Sequence, residues 1–316
     1  MQETERQLEM AGLSTVADFN RAIEAGYATT IINVCEAFQA KDLVNIAADI
    51  AHRGARIVLL AGPSSSGKTT TSKRLSLQLC AEWLKPVPIS MDDYFVNRDA
   101  TPHAEDGSYD FEPVEAVDLK LFNEHLNALL AGEEIEIPYF NFATGEREYR
   151  GNRVHIDNRS VLVIEGIHAL NPMLTAQVPD ELKYKIYASP LTRFRLNDDM
   201  MLHRTDTRLL RRILRDSRTR GTTPLKVIEQ WPSVRRGEEK WIFPFANDAD
   251  VMFNSSLLFE FSALRPHLER ILAGVSGNAE VDRLRDILSH FAPIADEQIP
   301  PTSVMREFLG GSSFTY

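Results

Sequence analysis

The run Gly62-Pro63-Ser64-Ser65-Ser66-Gly67-Lys68-Thr69 fits G-x-x-x-x-G-K-[S/T]. Residues of these types at this spacing make a phosphate cradle. The loop turns its backbone N–H groups onto nucleotide phosphates, the lysine reaches the outer ones, and the threonine hydroxyl holds Mg²⁺. The flanks agree: Arg56 to Ala61 reads as a buried strand and Thr69 to Leu84 as a helix. Strand, loop and helix in that order are the context the motif needs. Nucleoside triphosphate binding follows.

Two sets of carboxylates could complete the chemistry. Asp92 and Asp93 end one apolar run, and Glu165 ends another. Phosphoryl transfer to a hydroxyl needs a metal, a cradle for charge and an acceptor for the hydroxyl proton. Glu165 suits the metal shell, directly or through water. Asp92 or Asp93 suits the general base; adjacent residues of an extended segment point to opposite sides, so one of them faces the substrate. The plain alternative is polar residues closing two strands.

A third set is basic. Within Asp206 to Arg220, Arg208, Arg212 and Arg215 recur at i, i+4 and i+7, with Leu209, Leu210, Ile213 and Leu214 on the apolar side. The chain as a whole is acidic, with 35 Lys and Arg against 45 Asp and Glu and a net charge of −10. Arginines on such a helix can close over a triphosphate and offset charge developing during transfer. A solvated helix laced with salt bridges is the bland reading. A nucleic-acid patch ranks last: no aromatic residues interleave with the arginines, and the overall charge is unfavourable.

These groups need a scaffold. Val87–Met91, Val161–Ile164, Tyr184–Ala188 and Val251–Phe253 read as further strands, and the long connections suit crossovers of an α/β sheet. Ligands of such sheets lie beyond the strands' carboxyl ends, where Asp92 and Glu165 fall. Glu134–Phe142 and Arg147–Ile156 flank Ala143 to Glu146 and read as a β-hairpin insertion. Upstream, Ser14 caps an expected helix closed by Gly26, and Ile31 to Ala51 reads as a second. Downstream come helices near 258–272 and 281–290, then a flexible tail through Gly310-Gly311-Ser312-Ser313. The expected division is 1–54 as a helical N-terminal appendage, 55–275 as the P-loop domain (insert about 134–156, lid about 206–240), and 276–316 as a C-terminal helix and tail.

The chain has 316 residues, 43% of them hydrophobic, enough for a full core. Two cysteines, Cys35 and Cys80, exclude a disulfide framework and point to a reducing cytosol. No segment reads as a membrane span or signal peptide, and no His/Cys spacing suggests zinc. His168 is either a ligand for phosphate or substrate, or a structural histidine. Trp231, Trp241 and Phe243 read as packing, and Arg235 and Arg236 as partners of Glu238 and Glu239.

The phosphate loop, Met91-Asp92-Asp93-Tyr94-Phe95, Tyr109-Asp110-Phe111-Glu112, Ile137-Pro138-Tyr139-Phe140-Asn141-Phe142, Glu165-Gly166-Ile167 and Asp206-Thr207-Arg208 through Arg215-Asp216 occur in the order seen in uridine–cytidine kinases. The chain resembles that family, within the broader phosphoribulokinase/uridine kinase group, over roughly Arg56 to Asn254. The resemblance implies an α/β P-loop kinase fold with a central parallel sheet, helices on both faces, a β-hairpin insertion and a helical lid. It implies ATP as donor, Mg²⁺ as metal, and the 5′-hydroxyl of uridine or cytidine as acceptor. Asp92 then stands at the catalytic base, with Lys68 and Arg215 also catalytic. Gly62 through Thr70, with Arg215 and Arg220, stand at the ATP site, and Thr69 and Glu165 at the metal. Asp92, Tyr94, Glu112, Phe140, Phe142, Arg212 and Gln230 stand at the substrate site. The partner implied is a small-molecule nucleoside, with self-association left open and neither nucleic acid nor membrane expected.

Three positions depart from that family's pattern. Gly145 stands where the family has a base-reading histidine, Phe140 replaces a tyrosine, and Thr222 replaces an arginine. A pocket without these donors loses discrimination between bases. Another hydroxyl substrate, such as a sugar phosphate or pantothenate, is therefore the second expectation, and a non-catalytic nucleotide-binding module the third.

Overall fold

A computed structural model describes residues 12–315 apart from 14, 104–106, 108, 142–143 and 192–201. The helical N-terminal part comprises α1 (Val16–Glu24) and α2 (Ala28–Arg53). The sheet region follows with β1 (Ile57–Ala61), α3 (Lys68–Ala81), β2 (Lys85–Ser90) and α4 (Leu119–Leu130). The insertion holds β3 (Ile135–Glu136), β4 (Tyr139–Asn141), β5 (Glu146–Glu148) and β6 (Arg153–Val154). After it come β7 (Ser160–Glu165), β8 (Lys183–Ser189), α5 (Arg204–Thr219), α6 (Pro224–Trp241) and β9 (Val251–Asn254). The chain closes with α7 (Glu260–Leu272), α8 (Ala279–Ser289) and the short α9 (Arg306–Leu309).

Five strands form one parallel sheet in the order β2-β7-β1-β8-β9. All five stand where the apolar runs predict strands. The sheet is covered on both faces, so its inner strands read as continuous hydrophobic runs. In β1, Ile57, Leu59 and Ala61 join the side chains of Phe122, Leu126 and Leu129 from α4. Val58 and Leu60 point the other way, to Leu43, Ile46 and Ile50 of α2 and Leu75 and Leu79 of α3. This is the two-residue alternation of a strand put to use on both faces. Burying each such aliphatic side chain contributes roughly 1.5–3 kcal/mol. Strand β2 forms one edge and carries Pro86 and Pro88.

The insertion is two short antiparallel ladders rather than one continuous hairpin: β4 pairs β5, and β3 pairs β6. Helix α1 is capped by Thr15, whose side chain accepts from Asp18 N while Asp18 reaches back to Thr15 N. The expected cap, Ser14, lies outside the described residues. Helix α2 ends at Gly54 in the left-handed region, φ 65°. Gln39 of α2 bonds Arg74 of α3 at 2.8 Å and the carbonyls of Asn254 and Ser256, tying the N-terminal helices to the phosphate-loop helix and to the end of β9.

A third apolar cluster joins α1, the first half of α2, α5, α7, α8 and the end of the chain. Here the expectation of a flexible tail is corrected. Val304, Met305, Phe308 and Leu309 are buried, Arg306 bonds the carbonyls of Asp296 and Ile299, and Ser313 N donates to Pro301 O. Apolar residues at 304, 305, 308 and 309 are spaced to lay one side of a helical turn on the core.

Candidate active site

The phosphate loop joins β1 to α3, and its glycines are required by close packing. A side-chain carbon at Gly62 would collide with the carbonyl oxygen of Ala188 on β8. Gly67 has φ 84° and would bring a side-chain carbon to 2.6 Å from Val304 Cγ2. Ser65 also takes a left-handed conformation, φ 58°. The buried hydroxyls of Ser65 and Ser66 have no hydrogen-bond partner among the described residues, which leaves them as donors for a ligand. Lys68 Nζ folds back to Pro63 O at 3.2 Å.

Thr69 Oγ1 donates to Glu165 Oε1 at 3.0 Å, which joins the start of α3 to the end of β7. Adjacent oxygen ligands of an octahedral Mg²⁺ stand about 3.0 Å apart when each is about 2.1 Å from the ion. The hydroxyl and carboxylate therefore fit the hard-oxygen demand of that metal. Burial pushes Glu165 up to about 7, against the opposing pull of Lys68.

Asp92 lies on a 3-10 turn, Met91–Tyr94, directly after β2. Ser90 Oγ accepts from Asp92 N at 3.3 Å and starts the turn. Asp93 turns to the insertion and accepts from Phe140 N at 3.4 Å, whereas Asp92 opens to the cleft. Protein surrounds that cleft closely enough that desolvation raises the Asp92 pKa, while Lys68, Arg220 and Arg215 draw it down. Burial lowers the Lys68 pKa, and Glu165, Asp92 and Glu307 counter it. Lys68, Asp92 and Glu165 therefore lie within electrostatic reach of one another, and Arg215 within reach of Lys68 and Asp92.

The arginine helix serves two purposes. Arg208 makes a bidentate bridge to Glu238 of α6, and Arg211 makes one to Glu260 of α7, all four fully or almost fully buried. These two arginines also reach the loop carbonyls of Ser64 and Ser65. They fasten α5 to the loop, so Arg208 belongs to the framework rather than to a mobile arginine face. Arg212, Arg215 and Arg220 gather instead on one buried carboxylate, Asp216, at 3.4, 2.8 and 3.7 Å. Arg212 also donates to Ser64 Oγ at 3.0 Å. Asp216 is the organiser of the cationic side of the cleft.

Burial pushes Glu112 up to about 7, and Arg212 opposes the shift. Gly237 lets α6 approach it: a side-chain carbon there would stand 2.6 Å from Glu112 Cβ. The structure places the other described residues of the expected substrate set as follows. Tyr94 is wholly buried and bonds His125 Nδ1 at 3.0 Å. Phe140 is a core residue packed edge-on against Phe95. Gln230 is exposed on α6. Phe142 lies outside the described residues. Arg98 lies directly over the α-carbon of Gly145 and its N–H donates to Gly145 O at 2.8 Å. His168 is buried, and burial lowers its pKa to about 4 against the opposing pull of the Glu112 and Pro113 backbone.

One site residue has no counterpart in the sequence reading. Glu307 Oε2 accepts from Thr70 N at 3.1 Å and from Thr70 Oγ1 at 2.7 Å. Thr70 lies in the first turn of α3, where free backbone N–H groups and the helix dipole favour an anion.

Residues 57–257 match the phosphoribulokinase/uridine kinase family. The chain is 29% identical over 199 residues to a uridine kinase of Chloroflexus aurantiacus, covering 62% of this chain and 85% of that one. It is 30% identical over 197 residues to a uridine kinase of Bacillus pumilus, covering 62% and 84%. Among solved structures, D-glycerate 3-kinase from Cryptococcus neoformans aligns at 13% identity and a TM-score of 0.34, over 85% of this chain and 87% of that one.

Proposed function

This chain belongs to the phosphoribulokinase/uridine kinase family, and from that premise we propose that it transfers the γ-phosphoryl group of ATP to the hydroxyl of a small molecule other than a pyrimidine nucleoside. The transfer chemistry is supported by the nearness of Asp92 and Lys68, each of which shifts the other's proton affinity. A carboxylate opposite a phosphate-holding lysine leaves space for an alcohol to meet a terminal phosphate. Asp92 accepts the proton of that alcohol. Lys68 leaves Pro63 O for the donor's outer phosphates. Arg215 and Arg220 offset the charge that spreads over the transferring group. Glu112 and Arg212 face the acceptor and hold its remaining polar groups. Mg²⁺ held by Thr69 and Glu165 would neutralise part of the phosphate charge.

The acceptor class rests on what lines the insertion. Gly145 gives its space to Arg98, and Phe140 is turned into the core. Neither presents a neutral hydrogen-bonding group to a base. The second reading, uridine or cytidine as acceptor, is favoured by the named relatives at 29% and 30% identity. Radiolabelled ATP offered with a panel of nucleosides, sugar phosphates and pantothenate separates the readings. A kcat/KM for uridine or cytidine above every other acceptor would refute the first. Nucleotide binding with no acceptor phosphorylated would demote the chain to a binding module.

A further inference from the structure

We propose that Glu307 is a built-in competitor for the phosphate donor, holding the inner end of the phosphate site until a nucleotide displaces it. The inference rests on the reading of Gly62 to Thr70 as the donor site. Its carboxylate takes both the backbone N–H and the hydroxyl of Thr70, at 3.1 and 2.7 Å. Those are the donors that the first turn of a phosphate-loop helix offers to phosphate oxygens. A carboxylate and a phosphate are both anions with several acceptor oxygens, and one pair of donors serves one of them at a time.

A second, independent contact places the same segment on the loop. Val304 packs on Gly67 at the spot a side-chain carbon would take. The segment has anchors that do not involve Glu307. Arg218 holds Phe308 O, Arg306 holds Asp296 O and Ile299 O, and the Phe308 ring is buried against the Arg211 guanidinium at 5.0 Å. Glu307 itself is only half-buried. Its side chain can therefore swing away by rotation about its own bonds while the backbone of α9 stays in place.

Displacement has a predictable sign. With Glu307 seated, a donor must break two hydrogen bonds before it forms its own, and it meets the negative charge of Glu307 near Lys68 and Glu165. Removing the charge lightens both burdens. Glu307 thus lowers apparent donor affinity and leaves acceptor binding alone.

Titration calorimetry of the full chain with Mg-ATP, comparing wild type, Glu307→Gln and Glu307→Ala, tests this. The expected result is a Kd for Mg-ATP at least tenfold lower in both variants, with the acceptor KM unmoved. Thermal melts supply a readout that a purely structural role would not produce: without nucleotide the variants melt below wild type, yet saturating Mg-ATP raises their Tm by more. Measurable binding at equal or weaker affinity in both variants overturns the role of Glu307 and leaves the donor site standing. No binding of Mg-ATP by any of the three proteins overturns the donor site and this inference together.

Discussion

Arg208 of α5 and Glu238 of α6 close a bidentate bridge under the phosphate loop, and the same guanidinium reaches Ser64 O at 3.2 Å. Helix packing and loop shape are thereby one unit. Breaking a buried ion pair from one side leaves a stranded charge, worth about 3–5 kcal/mol. We expect Glu238→Ala to lower unfolding stability by that amount in a urea titration. A loss under 1 kcal/mol would mean that water reaches the Arg208 guanidinium and makes good the missing carboxylate.

Asp92→Asn keeps the size of the side chain and removes its basicity. Turnover should fall by about a hundred- to ten-thousand-fold, the usual reach of a positioned general base. ATP affinity should stay within threefold. Stopped-assay kinetics beside direct nucleotide binding measure the two effects separately. Normal turnover in this variant would remove Asp92 from the reaction.

The raised carboxylates set opposite trends for activity and for stability. Glu165 sits at about 7 against an ordinary 4.5. A folded pKa above the unfolded one means that the folded chain binds the extra proton, so this contribution to stability is full below pH 4.5 and is lost as pH rises through about 7. The nucleotide-free protein should therefore lose Tm over that interval, and Glu165→Gln should flatten the slope. Activity runs the other way, because metal binding and proton abstraction need ionised carboxylates. The Mg²⁺ concentration for half-maximal rate should rise as pH falls below 7, and should rise about tenfold or more in Glu165→Gln. A Mg²⁺ requirement unchanged by Glu165→Gln would place the metal elsewhere.

Gly62→Ala puts a methyl group against the Ala188 carbonyl, which belongs to a central strand and has little room to yield. Overpacking of this kind costs about 1–3 kcal/mol. The expected signature is a raised KM for ATP with the acceptor KM unchanged. Equal kinetics to wild type would show that the loop relaxes without losing its shape.

Local pattern made much of this molecule legible. Apolar runs marked all five sheet strands, and the motif Gly62 to Thr69 located the loop because its geometry depends on neighbours in the chain. Asp92 and Glu165 were visible because strand ends in a parallel sheet converge. What escaped reading depends on partners far away along the chain. Glu307 lies 237 residues from Thr70, and no spacing rule links them. Gly237 resembles any helix glycine until Glu112 stands against it. Arg208 and Arg212 share a helical face, yet Glu238 claims one and the loop and Asp216 hold the other. Tyr94 shares the short turn with Asp92, but its ring is directed to His125.

Edge strand β2 has a further effect outside the reaction. Lys85 N–H donates inward to Arg159 O at 2.8 Å, so alternation directs the backbone nitrogens of residues 86 and 88 outward. Both are prolines and carry no hydrogen. A stray strand arriving at this border finds carbonyls but no amide to grip in that stretch. The sheet stops growing there, which guards the chain against ribbon-like clumping at high concentration.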